Sequence, residues 1–336
     1  MKRTLEALVA TLILSTTGCA VKTSNLSVQN ASLNATDEKY DSVDDYVGQE
    51  AVQKLEDATY MVISESKYKK PDGGIITLHS LGTAVIYKDI GLRTYLVTAD
   101  HVMENEKVMY DFFGRKYELQ SEKFYLLEDD EVDRLHGLLR KTSAADEQGK
   151  FYVEDSSGNR RQALNFFIKT SDEMALGLGI IKPKMIKTVA QNEKKDLAII
   201  SVPKLSHQPI PYSIGNAEEL QTQNVVYATG WPRGLVKNVT QGHITSVHDS
   251  GLAREDPESA FIFDAAISPG NSGGGIFAVR DGKLELVGIT SAMYLGANDL
   301  YIGVKINGIS DVFKEDSIRC AKGWKCNLTS PYELKL

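Results

Sequence analysis

The sequence predicts an all-β protein of antiparallel strands, of barrel or sandwich type. Three observations lead to that class. Short stretches such as "LGTAVIY", "TYLVTADHV", "DLAIISV", "NVVYATGW", "VTQGHITSV", "AFIFDAAI", "GGIFAV", "LELVGIT" and "LYIGVKI" are rich in Val, Ile, Tyr and Thr and are separated by glycine or polar turns. Asp281-Gly282 lies between two of them, and a type I′ hairpin turn favours that dipeptide because both central positions need positive φ. A chain of 336 residues with 42% hydrophobic content can fill about two domain cores.

In chain order, "MKRTLEALVATLILSTTGCA" comes first. Lys2 and Arg3 precede an apolar run from Ala7 to Leu14, far shorter than the roughly 20 residues of a membrane-spanning helix. It reads as an export signal. Its end, Gly18-Cys19, resembles a bacterial lipoprotein signal, with residues 1–18 removed and lipid placed on the Cys19 thiol. Thr16 stands where that motif usually has Leu, and Glu6 is an unusual early acid. The expected location is the bacterial cell envelope, by a lipid anchor at the periplasmic face of the outer membrane, or outside the cell. Residues 19–45 are rich in Ser, Asn and Thr and read as a flexible tether. Beyond them, Val52, Leu55 and Ala58 share one face of a short helix that leads into a strand.

One β-domain is expected over 46–205 and a second over 206–318. The first is interrupted at about 121–180 by an insertion whose segment "DDEVDRLHGLLRK" places Val132, Leu135, Leu138 and Leu139 on one helical face. A tail at 319–336 holds Cys320 and Cys326 in "CAKGWKC". The chain has three cysteines, so lipid on Cys19 leaves these two as a pair suited to a small disulfide loop in an oxidising compartment. Such a loop contributes only about 2 kcal/mol. A zinc site finds no further Cys or His nearby. With 38 Lys and Arg against 45 Asp and Glu, a net charge of −7 and no dense basic cluster, nucleic acid is not expected as a partner. Neither a metal nor a cofactor is expected.

"DAAISPGNSGGGIF" sets Ser272 among glycines just after an apolar strand. An unassisted serine hydroxyl is a poor nucleophile; it needs a base to take its proton and a third group to orient that base. His101 stands where one apolar strand ends and Asp196 where another begins, rim positions from which side chains can meet across a cleft. The run also satisfies G-x-S-x-G, the nucleophile elbow of α/β-hydrolases, but there the histidine follows the serine. Here the last histidine is His248, so that reading fails. His101, Asp196 and Ser272 follow the His–Asp–Ser order of the double-barrel proteases.

The chain resembles a trypsin-fold serine protease, nearest to the HtrA/Deg-type branch. The resemblance rests on "GTAVIY", "YLVTADHVM", "KKDLAIISV", "YATGWPRGLVKNVTQGHITSV", "FDAAISPGNSGGGIF", "LVGITSA" and "YIGVKING", which together span roughly residues 50–312. It implies a double six-stranded antiparallel β-barrel, with the partly helical insertion and short N- and C-terminal helices as additions. It implies a serine endopeptidase acting on envelope or extracellular proteins through an acyl-enzyme. Ser272 is then the nucleophile, His101 the general base and later acid, and Asp196 the group that holds the imidazole. The N–H groups of Gly270 and Ser272 form the oxyanion hole. Gly270 keeps a Cβ out of the way of its own N–H, and Gly273 and Gly274 allow close packing behind the serine.

In such proteases the residue six before the nucleophile floors the specificity pocket, and here it is Ala266. With Ile267, Ser291 and Met293 as the remaining lining, the pocket is expected to be apolar and modest, taking Val, Ile or Ala. Glutamyl-specific relatives carry His where this chain has Thr290. The expected partners are a protein or peptide substrate and the membrane through Cys19, with homo-oligomerisation left open. Only 64 residues follow Ser272, so no PDZ domain is expected, and the separation of 95 positions from His101 to Asp196 exceeds the family's usual spacing because of the insertion. The competing class is a non-catalytic or conditionally inactive trypsin-fold binding or chaperone lipoprotein, in which a misformed oxyanion hole would leave the sequence unchanged.

Overall fold

The computed structural model describes residues 40, 49–111, 113–141, 151–154, 160–162, 179, 181–249, 256–294 and 299–312. These all lie in one compact unit, Asp37–Leu336. The expected export signal at 1–18, the expected lipid site Cys19 and the expected Cys320–Cys326 disulfide fall outside the described residues.

Helix α1 (Gln49–Asp57) buries Leu55 completely, and Ala58 is buried just beyond it. The chain then enters β1 (Thr59–Lys69), whose first six residues are all buried. Tyr60 and Val62 join the main core, whereas Met61 and Ile63 join a separate apolar cluster on the other face. That two-sided burial follows from the period of two along a strand, and it explains why this stretch reads as a continuous apolar run.

β2 (Ile75–Ile90), β3 (Arg93–Thr98), β4 (Val108–Asp111) and β5 (Lys116–Leu127) follow, then α2 (Asp129–Lys141), β6 (Phe151–Glu154), β7 (Arg160–Gln162), β8 (Lys184–Met185), β9 (Lys187–Asn192) and β10 (Leu197–Pro203). The sheet runs β5-β1-β2-β3-β10-β9, with β4, β6 and β7 beyond β5. Only Ile186 separates β8 from β9, and its N–H donates to Phe124 O at 2.9 Å while β8 pairs with β5. The ribbon 184–192 thus joins β5 to β10 and closes a barrel of six strands.

The second half contributes β11 (Tyr212–Ile214), β12 (Val225–Gly230), β13 (Asn238–Ser246), β14 (Ala260–Phe263), β15 (Gly275–Arg280), β16 (Lys283–Met293) and β17 (Tyr301–Lys305). Its order is β16-β15-β12-β13-β14-β17, and β17 pairs back onto β16, giving a second closed six-stranded barrel with β11 added in parallel to β16. Closure leaves no strand edge within either ring. The β15–β16 turn holds Asp281 at φ 49° and Gly282 at φ 71°, as its dipeptide requires.

The main core runs through both barrels: Val62, Ile86, Leu96 and Ile199 of the first are continuous with Phe277, Leu286 and Val304 of the second. Each such side chain, fully buried, contributes about 1.5–3 kcal/mol relative to exposure.

Two boundaries differ from the sequence reading. Residues 121–127, assigned to the insertion, are the second half of β5 and pair with β1 from Met61 to Lys67. Tyr40, assigned to the tether, is 4% exposed; its hydroxyl donates to Glu285 Oε2 at 2.7 Å and Arg280 lies over its ring at 4.2 Å. Packed structure therefore reaches back at least to residue 40, because one aromatic ring with a satisfied hydroxyl suffices to dock it. At the other end, helical residues begin at 309 and the described residues end at 312.

Candidate active site

His101 lies in a single 3-10 turn, Asp100–Val102, directly beyond β3. β3 pairs with β10 in the register Thr98↔Ala198, so the end of one strand lies beside the start of the other. Asp196 immediately precedes β10, closing the turn that follows β9. Its N–H donates to Glu193 O at 3.1 Å, and its φ of 47° is the left-handed geometry that Asp tolerates better than most residues. Register and turn together bring the two side chains into contact. His101 Nδ1 stands 2.9 Å and 3.0 Å from the two carboxylate oxygens of Asp196, and the His101 backbone N–H donates to Oδ1 at 3.0 Å. The Ser291 hydroxyl donates to Oδ2 at 2.5 Å. An ionised carboxylate only accepts, so Nδ1 carries the proton and Nε2 of the neutral ring is the acceptor.

Ser272 lies between β14 and β15 in a loop held from both barrels. Thr83 of β2 donates from its N–H to Ser272 O at 2.8 Å and from Oγ1 to Gly270 O at 2.7 Å. Thr98 of β3 donates in turn to Thr83 O at 2.7 Å. Gly273 N–H donates to Thr290 O at 2.8 Å, which ties the loop to β16. The Ser272 hydroxyl is directed towards Ser291 O at 3.4 Å, the long end of a hydrogen bond.

Two peptide planes beside the serine are fixed from behind. Pro269 O accepts from Arg233 N at 2.6 Å, and Asn271 O accepts from Gly274 N at 2.8 Å. In a planar trans peptide the N–H points opposite to the carbonyl, so the N–H groups of Gly270 and Ser272 are aimed away from these ties. Among the described residues neither N–H has a hydrogen-bond acceptor. Gly270 sits at φ 99°, where a Cβ would come within 2.4 Å of Trp231 O. Gly273 sits at φ 86°, where a Cβ would meet Thr83 O and Thr98 Oγ1 at 2.1 Å. Both positions therefore need glycine.

Of the expected pocket residues, Ala266 and Met293 are exposed, Met293 by 45%. Ile267 is buried in the core of the second barrel, and Ser291 is buried with its hydroxyl committed to Asp196. Sequence reasoning missed that second role for Ser291, and it missed Thr83 and Arg233, whose parts are played largely by backbone atoms.

It also missed Asp100. This carboxyl is 3% exposed, and its Oδ1 has no partner among the described residues. Burial, and then the nearby charge of Asp196, push its pKa from 3.8 up to about 7, while a hydrogen bond from Gln191 pulls the other way. Because the folded-state pKa is raised, the folded chain binds more protons than the unfolded one between about pH 4 and 7. Stability therefore falls as pH rises through that window and levels off above it. Asp100→Asn removes this loss. It is expected to raise stability at pH 8 by on the order of 2–4 kcal/mol, with a much smaller gain near pH 4, read from thermal melts at both values. An equal gain at both would disprove the buried charge.

The family described as "Trypsin-like peptidase domain" matches residues 82–289, which include His101, Asp196 and Ser272. Two relatives named "Probable periplasmic serine endoprotease DegP-like" are similar to parts of the chain. The one from Buchnera aphidicola is 31% identical over 153 residues, covering 44% of this chain and 32% of the relative. The one from Chlamydia pneumoniae is 37% identical over 117 residues, covering 34% and 22%. The chain thus matches a third or less of the length of these relatives. Among solved structures, one described as "HtrA-type protease AlgWS227A with decapeptide" aligns with a TM-score of 0.47 at 17% identity, covering 82% of this chain and 67% of that one.

Proposed function

Because this chain belongs to the trypsin-like peptidase domain family, we propose that it is a serine endopeptidase of the HtrA-like branch that cleaves protein or peptide substrates through an acyl-enzyme on Ser272. The observation that carries the reading is the His101–Asp196 contact at 2.9 Å, which leaves Nε2 to accept a proton. The two N–H groups beside the serine, aimed away from their tied carbonyls, supply the second half of the machinery.

In the first step Ser272 Oγ turns about its Cα–Cβ bond from Ser291 O to His101 Nε2, gives up its proton there and attacks the substrate carbonyl carbon. Catalytic hydrogen bonds are often loose before substrate arrives. The carbonyl oxygen gains the negative charge and is received by Gly270 N–H and Ser272 N–H, each donor being worth about 3 kcal/mol in the transition state. Asp196 stabilises the imidazolium. His101 then gives the proton to the departing amine as the C–N bond breaks, leaving the acyl group on Ser272. Water repeats the sequence in reverse, with His101 again as base, and releases the acid and the free serine.

The exposed Ala266 and Met293 would line an apolar pocket for the side chain before the cleaved bond, favouring Val, Ile or Ala. One methylene changes binding in such a pocket by only about 1–3 kcal/mol, so the preference is loose. The export signal and the periplasmic naming of the relatives support action in the cell envelope. Lipid on Cys19 would anchor the enzyme there, and a Cys320–Cys326 disulfide would suit that compartment. Digestion of a random peptide library read by mass spectrometry tests the reading. Cleavage after small aliphatic residues is expected, and it should vanish in Ser272→Ala. Identical digestion by both proteins would refute the enzyme, whereas cleavage after Lys or Arg would refute the pocket.

A further inference from the structure

Helix α2 belongs to the insertion that lengthens the His101–Asp196 separation, yet it is fastened to the loop behind the oxyanion hole. Its N-terminus is well made: Glu131 reaches back to accept from Glu128 N–H at 2.9 Å, and Asp129, Asp130 and Glu131 complement the helix dipole. Its buried face carries Val132 and Leu135 into one apolar cluster with Trp231, Leu81 and Leu127. Trp231 opens the segment Trp231–Lys237 that joins β12 to β13.

Two polar ties reinforce that packing. His136 Nε2 donates to Gly234 O at 2.6 Å. One end of the helix is held by Asp129 Oδ1, 2.6 Å from Lys237 Nζ, and Lys237 also donates to Glu56 O at 2.8 Å and stands 5.4 Å from the Trp231 ring. The segment is therefore gripped at its tryptophan, at Gly234 and at Lys237.

The gripped segment contains two successive left-handed residues, Arg233 at φ 53° and Gly234 at φ 63°. For arginine that conformation is strained and persists only where the surroundings enforce it. Arg233 N–H is also the donor that holds Pro269 O at 2.6 Å, and that tie aims Gly270 N–H forward. A relaxed Arg233 would release the Pro269 carbonyl, and a turn of that peptide plane would put an acceptor where the oxyanion needs a donor.

We infer that α2 braces the oxyanion loop, with His136 as a positioning residue that acts through Gly234 and Arg233 on the Gly270 N–H. The inference rests on the role proposed above for Ser272. It gives the insertion a purpose within the reaction: whatever lifts α2 from the barrel would disarm the hole without touching the three catalytic side chains.

The test compares His136→Ala, His136→Gln and Asp129→Asn with the wild type. His136→Ala is expected to lower kcat about tenfold with KM nearly unchanged, because the lost interaction acts only in the transition state. His136→Gln, which keeps a donor of similar reach, is expected to recover most of that loss. Backbone amide exchange over residues 231–235 and 268–274 is expected to quicken in His136→Ala and to a lesser degree in Asp129→Asn, whose side chain is 61% exposed and so dispensable for folding. Unchanged exchange, or a rise in KM at constant kcat, would overturn the brace. Should His136→Ala not fold, Asp129→Asn decides by the same exchange measurement. A wild type that neither cleaves peptides nor reacts with a fluorophosphonate would defeat the serine reading, while exchange would still report whether α2 holds the loop.

Discussion

Ser272→Ala is expected to lower kcat for peptide cleavage by roughly a million-fold, about 8 kcal/mol of barrier, with KM and the thermal midpoint nearly unchanged. The loss is large because the substitution removes the attacking atom, and His101 then has no proton to take. What survives is binding and the two N–H donors, which support roughly a thousand- to ten-thousand-fold acceleration over water in comparable enzymes. Stability should hold because, among the described residues, the hydroxyl makes one long contact, 3.4 Å to Ser291 O. The ties that shape the loop, Thr83 N–H to Ser272 O and Gly273 N–H to Thr290 O, use the backbone. Steady-state kinetics with a peptide identified in the library digest would measure the effect, and a loss below about tenfold would mean that another group does the chemistry.

Asp196→Asn is expected to lower kcat roughly ten-thousand-fold. Asp196 accepts from His101 N–H, His101 Nδ1 and Ser291 Oγ. An asparagine offers one acceptor and one donor in the same space. Since Nδ1 lies within 3.0 Å of both carboxylate oxygens, the new NH2 faces it in either orientation. The ring then favours the opposite tautomer, with the proton on Nε2, and can no longer receive the serine proton. The same change removes the charge that helps push Asp100 upward, so part of the alkaline stability loss assigned to Asp100 should disappear as well. A variant with near-normal kcat would show that orientation of the imidazole does not depend on this carboxylate.

Much of the scaffold was legible because its signals are local. β10 and β12 are short Val- and Ile-bearing runs, the Asp281-Gly282 turn is fixed by its own φ requirement, and Val132 and Leu135 recur at helical spacing. His101, Asp196 and Ser272 stand out by chain order, which a single sequence displays directly, and the structure brings the first two into contact. The continuation of β5 was hidden because Gln120–Lys123 lacks an apolar alternation: the strand is exposed there on both faces and is specified only by pairing with β1. Tyr40 was hidden for a related reason, since its hydroxyl partner Glu285 lies 245 residues further along. The roles of Ser291, Thr83 and Arg233 depend on hydrogen bonds made across strands or between the barrels. No residue type announces a backbone donor, so periodicity and motif could not show them. Asp100 is a similar case, because its raised pKa comes from burial next to Asp196 rather than from anything in "TADHV" itself.

The imidazole of His101 is expected to activate the hydroxyl of Ser272. That activation is tested most directly by the rate at which a fluorophosphonate modifies the protein, followed by intact mass and peptide mapping, in wild type and in His101→Ala. One adduct on the peptide containing Ser272 is expected, formed at least about a thousand-fold more slowly in the variant. Equal rates in the two proteins, or an adduct elsewhere, would contradict it.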